Sequence, residues 1–564
     1  MSAVTRVYSG VRGIQSAIKD AGRMREIVII LARHGFGAAL QRIGATEAVG
    51  IEGTPDASPE SRGMPLARRL RTAVEELGPT FIKLGQILST RADLLPADII
   101  AELQHLQDNV PELKWDDVRE VIERETGGAV DVHFAEFREK PLACASIAQV
   151  HRAVLRDGQR EVVVKVQRPN IAGRIDSDLS ILAFFARQAA SAIPDLELMD
   201  PVGIVAEFDR ALRKELDFTN ELSNIKRFQG NFAGYEGVHI PEVFESISTS
   251  RVLVMEFING VKITQAGTAY GHDMTAMAPK MLQALLKMIF KDGYFHGDLH
   301  PGNILVRPDG EIGLIDYGLV GRLSRTQRDY ILDIFIALSR RDYAAVSRVF
   351  FDIGVKVPGV QYRYEEFEAD VIELMESHLD SKSLAEIDIG TFFRDIVSGA
   401  IKHKIRMPPT YTMVFKALMT VEGIGKSIAP DLDFIEHAQP FVREVLLERY
   451  APDKLLAQGA ETLNQLSKFL RQFPVSATQL LRDAQRGDLV LRTRVERFDE
   501  LVEAQHRTGS LIARAVVLAG CWVSAALTLH EEGARFLGLP IFAALSLVVG
   551  LVVGWPLLAL TFRK

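Results

Sequence analysis

Three polar residues in the stretch FHGDLHPGNILVRPDGEIGLIDYG, residues 295–318, have the types and spacing for phosphoryl transfer. Asp298 and Asn303 are separated by four intervening residues, and Asp316 follows 18 residues after Asp298. Moving a phosphoryl group off a nucleotide asks little covalent chemistry of a protein. It asks for metal ions that neutralise the phosphates and for a carboxylate placed to accept a hydroxyl proton. Asp316 and Asn303 offer hard oxygen ligands suited to Mg2+, which takes few protein ligands besides phosphate and water. Asp298 is left as the base or orienting group. Taken singly, each of the three is an ordinary cap or turn residue; the order and spacing together point to chemistry. His296 and His300 read as structural, because Mg2+ does not seek imidazole.

These side chains need elements to hold them. Ile304 to Val306 and Ile312 to Ile315 are apolar, partly β-branched runs joined by Pro308-Asp309-Gly310, which predicts a hairpin holding both metal-binding ends together. Upstream, Leu142 to Val150 (LACASIAQV) precedes two strand-like runs, Val150 to Leu155 and Glu161 to Val166, with a turn at Asp157-Gly158. Lys165 lies inside VVVKV, where a central strand would bury it and demand a partner; the plain alternative is an edge strand with Lys165 in solvent. A small-residue loop followed by a strand pair with an internal lysine fits the nucleotide-clamping lobe of a kinase, Lys165 pairing the phosphates. Its partner is expected among Glu215, Asp217 and Glu221 of KELDFTNELSN. On one helix Glu215 and Glu221 point about 120° apart, so only one of these two should meet Lys165. The run Arg251 to Phe257, with Glu256 near its end, leads into Asn259-Gly260 and is expected to be the hinge that faces an adenine edge.

With 564 residues the chain exceeds one ordinary core, and about three to four domains are expected. A hydrophobic share of 47% with 25% charged residues is globular, and a net charge of -7 excludes a whole-chain nucleic-acid signature. Cys144 and Cys521 are the two cysteines, and neither has the company of a metal or redox motif, which fits a reducing compartment.

Before the hairpin, residues 1 to about 44 mix Arg6, Arg12, Lys19, Arg23 and Arg25 with the apolar run Ile27 to Ala32, too short for a signal-peptide core. A helix lying on protein or on anionic lipid is expected there, followed by a linker, Gly44 to Gly63. Pro65 to Leu95 reads as helical with a break at Gly78-Pro79; Lys83 and Gln86 share a face, and composition makes Lys83 no more than a solvated lysine. After Gly318, Tyr330 to Phe351, Phe367 to Met375 and Tyr411 to Met419 look like core helices of a second lobe, and Phe441 to Gln505 like polar amphipathic helices. Leu511 to Leu529 is apolar but for Arg514, and Phe536 to Phe562 runs 27 residues without a charge. A span needs about 20 residues, so a hairpin of two membrane helices is expected. Arg492, Arg494, Arg497 and Arg507 on one side, with Arg563 and Lys564, against Glu531, Glu532 and Arg535 in the link, put the body in the cytoplasm. Gly550 and Gly554 could seat the first helix of the hairpin or a second copy of the chain, a homodimer; packing within the hairpin is the simpler arrangement.

With these residues in hand, the chain resembles the UbiB family of atypical kinase-like proteins linked to ubiquinone biosynthesis, from about residue 60 to 440 and again in the C-terminal hairpin. Four stretches carry the resemblance: Lys83-Leu84-Gly85-Gln86, Ala143 to His151 (ACASIAQVH), Glu215-Leu216-Asp217, and the HGDLHPGN and DYG pair. The resemblance implies an α+β, two-lobed protein-kinase-like fold with an N-terminal helical extension and a C-terminal two-helix transmembrane hairpin. Its implied segments are residues 1–63, a helical extension 64–140, an N-lobe 141–262, a C-lobe 263–440, a helical connector 441–505 and the hairpin 506–564. It places Lys83 and Gln86 over the nucleotide with Lys83 near Glu215 and Asp217, makes Glu221 the partner of Lys165, and gives the phosphate loop to Ala143, Ala145, Ser146, Ile147 and Ala148. The chain departs from the family where Ala148 replaces glycine and Cys144 replaces alanine, and Tyr317 stands where kinases usually have phenylalanine. The implied activity is a membrane-anchored ATPase using ATP and Mg2+ in a bacterial inner membrane. Its partners would be membrane lipids, isoprenoid quinone precursors and other ubiquinone biosynthesis proteins. A small-molecule or lipid kinase, or a nucleotide-sensing scaffold, is the alternative.

Overall fold

The alternating residues of the segment around Lys165 set the first sheet. In the computed structural model five antiparallel strands are formed by β1 (Phe134–Phe137), β2 (Ala143–Cys144), β3 (Ala148–Leu155), β4 (Glu161–Gln167) and β6 (Val252–Glu256), ordered β1-β3-β4-β6 with β2 on β3. The structure describes residues 21–51, 58, 63–89, 95–106, 111–193, 200–356, 362–379, 389–430, 434–449, 467, 498–528, 535–536 and 539–561. β4 lies between β3 and β6, with Lys165 opposite Val150 and Leu253, so the edge-strand alternative is ruled out. Successive side chains of a strand face opposite ways. Val162, Val164 and Val166 accordingly pack with Val118, Val121 and Ile122 of a covering helix (Trp115–Thr126), and Val163 joins the larger core on the other side, the side of Lys165.

The helical extension is joined to this lobe by a polar clasp. Helices α1 (Leu66–Leu77) and α2 (Pro79–Leu88) are separated at Gly78, whose φ of +97° suits glycine, with Pro79 opening the second helix as the sequence predicts. Val74, Leu77, Phe81 and Ile82 pack with Ile27 and with Ile181 of α3 (Ile171–Ala192), so the apolar run near the N-terminus is covered by protein. Beneath them Thr80 Oγ1 donates to the buried Asp178 carboxylate at 2.6 Å, and Arg23 donates to Asp178 at 2.7 Å and to the Leu77 carbonyl at 2.7 Å. A methyl group at Gly85 would run into Leu106 and Val74, so the glycine of KLGQ is what lets α2 lie this close. Arg6, Arg12 and Lys19 lie outside the described residues.

Two further helices follow, α4 (Pro201–Leu216) and α5 (Phe218–Asn231). They are not one helix. Asp217 interrupts them with an extended backbone and caps α5, accepting from the Thr219 amide at 3.0 Å. The 120° expectation for Glu215 and Glu221 therefore fails, because it assumed a continuous helix.

The second lobe carries a four-stranded sheet, β5 (Val238–His239), β10 (Ile312–Leu314), β9 (Ile304–Val306) and β7 (Val261–Lys262) in that order, and a pair of β8 (Tyr294–His296) with β11 (Val320–Arg322). The predicted hairpin is β9 and β10, antiparallel with Ile312 opposite Val306. Helix α6 (Met274–Leu286) and the later helices α7 (Arg325–Ser339), α8 (Tyr343–Ile353), α9 (Tyr364–Leu379), α10 (Ile389–Lys402), α11 (Pro409–Ile428) and α12 (Phe434–Arg449) supply the apolar residues around it.

Residues 455–564 form a separate unit. Its helices are α13 (Phe498–Thr528), which begins well before the expected Leu511, and α14 (Ile541–Thr561). They run antiparallel, since Ser524 Oγ meets Ser546 Oγ at 3.2 Å while Gly550 approaches Cys521. Among the described residues no helix is long and apolar enough to cross a membrane; both helices also contain residues whose side chains lie outside the described set. Most of the connector 441–505 lies outside it too.

Candidate active site

The sheet puts Lys165 on an interior strand facing α5, and the buried stripe of that helix decides which acid it meets. Phe218, Glu221, Ile225 and Phe228 are all buried and recur at helical spacing. Glu221 therefore points inward, and Lys165 Nζ donates to its two oxygens at 3.0 and 2.8 Å. Asp316 Oδ1 stands 3.8 Å from the same ammonium. Burial works to lower the Lys165 pKa, but the charges of Glu221 and Asp316 prevail and hold it above the usual lysine range.

Asp316 adopts a left-handed backbone, φ +63°, and its Oδ1 accepts from the Gly318 amide at 3.2 Å. Lys165, and after it Lys83, hold its carboxyl below the usual carboxylate range against the effect of burial. The next residue ties this turn to α5. The Tyr317 ring is fully buried against Phe228 and His296, its hydroxyl donates to the Leu314 carbonyl at 3.1 Å, and its own carbonyl accepts from Asn224 at 2.8 Å. The phenylalanine-to-tyrosine departure thus keeps the ring packed and finds a partner for the added hydroxyl. Glu221 and Asp316 are held in register through Asn224 and Tyr317.

Asp298 and Asn303 sit between β8 and β9. Asn303 Nδ2 donates to the Asp298 carbonyl at 3.0 Å, so the amide nitrogen is used locally and the oxygen end is left for a cation. The Asp298 amide donates to His296 Nδ1 at 3.1 Å, and His296 Nε2 approaches the Ile315 carbonyl at 3.3 Å. Burial pushes the His296 pKa down, consistent with a neutral imidazole that joins the two ends of the motif. His300 Nδ1 accepts from the Gly302 amide. Both histidines brace the loop through these bonds, and among the described residues no group of three His, Cys, Asp or Glu side chains is arranged as a metal site. Asn303 and Asp316 present an amide oxygen and an ionised carboxylate, the hard donors that Mg2+ accepts when phosphate and water complete its shell.

The remaining predicted residues are distributed unevenly. Lys83 meets Glu215 at 2.5 Å, an ion pair that composition alone did not disclose. Asp217 serves as the cap of α5, with Thr219 Oγ1 also donating to it at 2.7 Å. Gln86 is on α2, one turn from Lys83. Glu256 turns to the far side of the hinge strand, where its Oε2 accepts from His239 and from the Glu242 amide, both at 3.0 Å. Its side chain therefore braces the strand. In the alanine-rich loop Ala143 is exposed, while Ser146, Ile147 and Ala148 are buried. Ala148 is part of β3, paired with Gln167, and has no positive φ, so the position makes no demand for glycine. The loop is braced by Arg168, which donates to the Ala145 carbonyl at 3.0 Å, and by Gln149, whose Oε1 accepts from the Leu113 amide at 2.7 Å and lies 3.6 Å from the Cys144 thiol. One contact was missed at the sequence level. Lys416, on α11, donates to Asp298 Oδ1 at 3.1 Å.

The chain is similar in sequence to known kinase-like proteins. Residues 105–350 match the ABC1 atypical kinase-like domain, and residues 372–433 match the UbiB helical domain. A Vibrio parahaemolyticus protein named "Probable protein kinase UbiB" is 37% identical over 399 residues, covering 70% of this chain and 73% of that protein. Among solved structures, Rv3197 of Mycobacterium tuberculosis in complex with erythromycin aligns with a TM-score of 0.47 at 23% identity, covering 66% of this chain and 94% of that one.

Proposed function

We propose that the chain, which belongs to the UbiB family of atypical kinase-like proteins, is a membrane-anchored enzyme that transfers the γ-phosphoryl group of ATP to water or a small acceptor in support of ubiquinone biosynthesis. The observation that carries this reading is the meeting of Lys165, Glu221 and Asp316 across one cleft, with Asp298 and Asn303 on the adjoining hairpin.

In this reading Lys165, oriented by Glu221, binds the nucleotide phosphates. Asp316 and the Asn303 oxygen would hold Mg2+, which when bound supplies charge neutralisation at the phosphates. Asp298 accepts the proton of the attacking hydroxyl as its oxygen bonds to phosphorus and the bond to the bridging oxygen breaks, releasing ADP. The loop from Ala143 to Ala148 lies against the phosphates, and the hinge strand ending at Glu256 faces the adenine. Lys83, Gln86, Glu215 and Asp217 close the cleft from the side of the extension, which favours water or a small acceptor over a protein.

Support for membrane anchoring comes from the C-terminal unit. Val516, Trp522 and Leu527 of α13 and Phe542, Leu545 and Val552 of α14 all face outward, each at least 60% exposed, and α14 spans 21 residues without a charge. Outward apolar faces on both helices of a hairpin suit lipid. A cytoplasmic body follows from the arginine bias, a bacterial inner membrane fits the bacterial relative, and isoprenoid quinone intermediates dissolved there are the substrates within reach.

The test is an Asp298→Asn variant in cells that lack their own copy of the protein. Nucleotide binding should persist and quinone production should stop. Normal quinone levels would overturn the enzymatic reading in favour of a nucleotide-sensing scaffold. Labelled phosphate on an extracted lipid or small molecule would identify the acceptor as other than water.

A further inference from the structure

The geometry points to Lys416 as a positioning residue for Asp298, so that the helical region beyond the kinase-like body completes the phosphoryl-transfer site; this rests on the reading of Asp298 as the proton acceptor. The loop that carries Asp298, FHGDLHPGN, contains no lysine or arginine. Its two imidazoles are engaged elsewhere: His296 with the Asp298 amide and the Ile315 carbonyl, His300 with the Gly302 amide. The cation that reaches the carboxylate comes instead from α11, past residue 350 where the kinase-like match ends.

The delivery of that cation is built in. Lys416 follows Phe415 and precedes Ala417, both buried with Tyr411, Val414 and Leu418 in the second-lobe core. Three residues earlier Met413 packs over Gly297, where a side chain would collide with its sulfur. The helix is thus fixed against the loop on both sides of the lysine stem. The ion pair itself is partly solvated, with side-chain exposures of 33% for Lys416 and 39% for Asp298. Such a pair adds little to stability. Its consequence is orientation: Lys416 occupies Oδ1, and among the described residues Oδ2 has no partner, so Oδ2 is the oxygen presented to an attacking hydroxyl. The lysine charge also offsets the repulsion between Asp298 and the incoming phosphates.

The experiment measures steady-state turnover of Mg-ATP by the full chain in lipid nanodiscs, with Asp298→Asn as reference. Lys416→Met should lower kcat by about 10²-fold, the scale of a misplaced reacting group, while KM for ATP changes by less than about threefold. Lys416→Arg, which keeps the charge, should recover much of that loss. Adding Lys416→Met to Asp298→Asn should cost nothing further, because the lysine acts through the aspartate. Wild-type kcat in Lys416→Met beside an inactive Asp298→Asn would overturn the proposal alone. Wild-type turnover in Asp298→Asn would instead remove the reading beneath it. If Lys416→Met has no cooperative melting transition, Lys416→Gln, which keeps a polar head at the exposed end, decides by the same two constants.

Discussion

Two lysine–glutamate pairs face the same cleft, and they are held in different ways. Lys165 and Glu221 are 13% and 5% exposed, one on an interior strand and the other on the buried stripe of α5. Lys83 and Glu215 are 20% and 26% exposed, one on the helical extension and the other at the end of α4. Glu215 lies where the helix dipole disfavours a negative charge, so Lys83 relieves a local strain of charge as well as bridging two layers. The first pair is part of the sheet and its core. The second rides on a layer clasped to the body through Thr80, Arg23 and Asp178, and no strand hydrogen bond depends on it. The difference separates a pair built into the sheet and its core, a strut, from a pair that bridges two layers, a latch, and under the proposed function the strut would fix phosphate-binding geometry while the latch would bear on access to it.

That distinction can be broken by mutation. The largest effect should come from Glu221→Ala, which leaves the Lys165 ammonium in a mostly buried site with no carboxylate in direct hydrogen-bond contact, Asp316 standing 3.8 Å away; urea unfolding should show a loss of about 3–5 kcal/mol. A loss under about 1 kcal/mol would mean the pair is as solvent-adapted as the latch. Lys165→Met removes the charge and leaves the buried Glu221, whose pKa burial raises, to take up a proton rather than stay ionised; phosphate release should fall on the order of 10²- to 10³-fold, as for other preorganised electrostatic groups. Equal turnover would show that the strut does not bear on chemistry.

Acid offers a third probe, because the rigid side contains a buried neutral histidine. His151 Nδ1 donates to the Arg138 carbonyl at 2.9 Å and Nε2 accepts from Gln149, and burial pushes its pKa below the usual value. Its neutral form is the one the fold prefers. The stability it contributes is therefore complete above about pH 6.5 and is lost as pH falls below that, by at most about 1.4 kcal/mol per unit for one site. Chemical unfolding across pH 5 to 7 should show this slope, and His151→Asn should flatten it. The smallest effect on stability should come from Glu215→Gln, within about 1 kcal/mol of wild type. In that variant amide exchange should quicken in α2 and stay unchanged in β4. Matching acceleration in β4 would erase the contrast between latch and strut.

How far the sequence disclosed these parts depends on the range over which their physics acts. Asp298, Asn303 and Asp316 were legible because a short hairpin fixes their spacing, and the apolar runs and turn that make it are contiguous. Lys165 was legible because a lysine within VVVKV must be explained. Lys83 was not, since Glu215 is distant along the chain and a lone lysine on an amphipathic helix has no signature; only the resemblance singled it out. Glu215 and Glu221 were placed on one helix because nothing in the spacing announced that Asp217 would cap a new one, although an Asp immediately ahead of the apolar stripe that starts at Phe218 is an N-cap signal that could have suggested the break. Lys416 was lost in YTMVFKALMT, which reads as core. Its meeting with Asp298 is a product of tertiary packing, and no local pattern encodes it.

Phosphate release from Mg-ATP by the full chain in nanodiscs, read beside ATP binding in the same samples, tests the central claim most directly. Wild type should turn over, and Asp298→Asn and Asp316→Asn should not, with Asp298→Asn still binding ATP and Asp316→Asn losing the dependence of binding on Mg2+. An absence of turnover in wild type with anionic lipid and a quinone-precursor phenol present, or undiminished release in either variant, would contradict the assignment of this cleft to phosphoryl transfer.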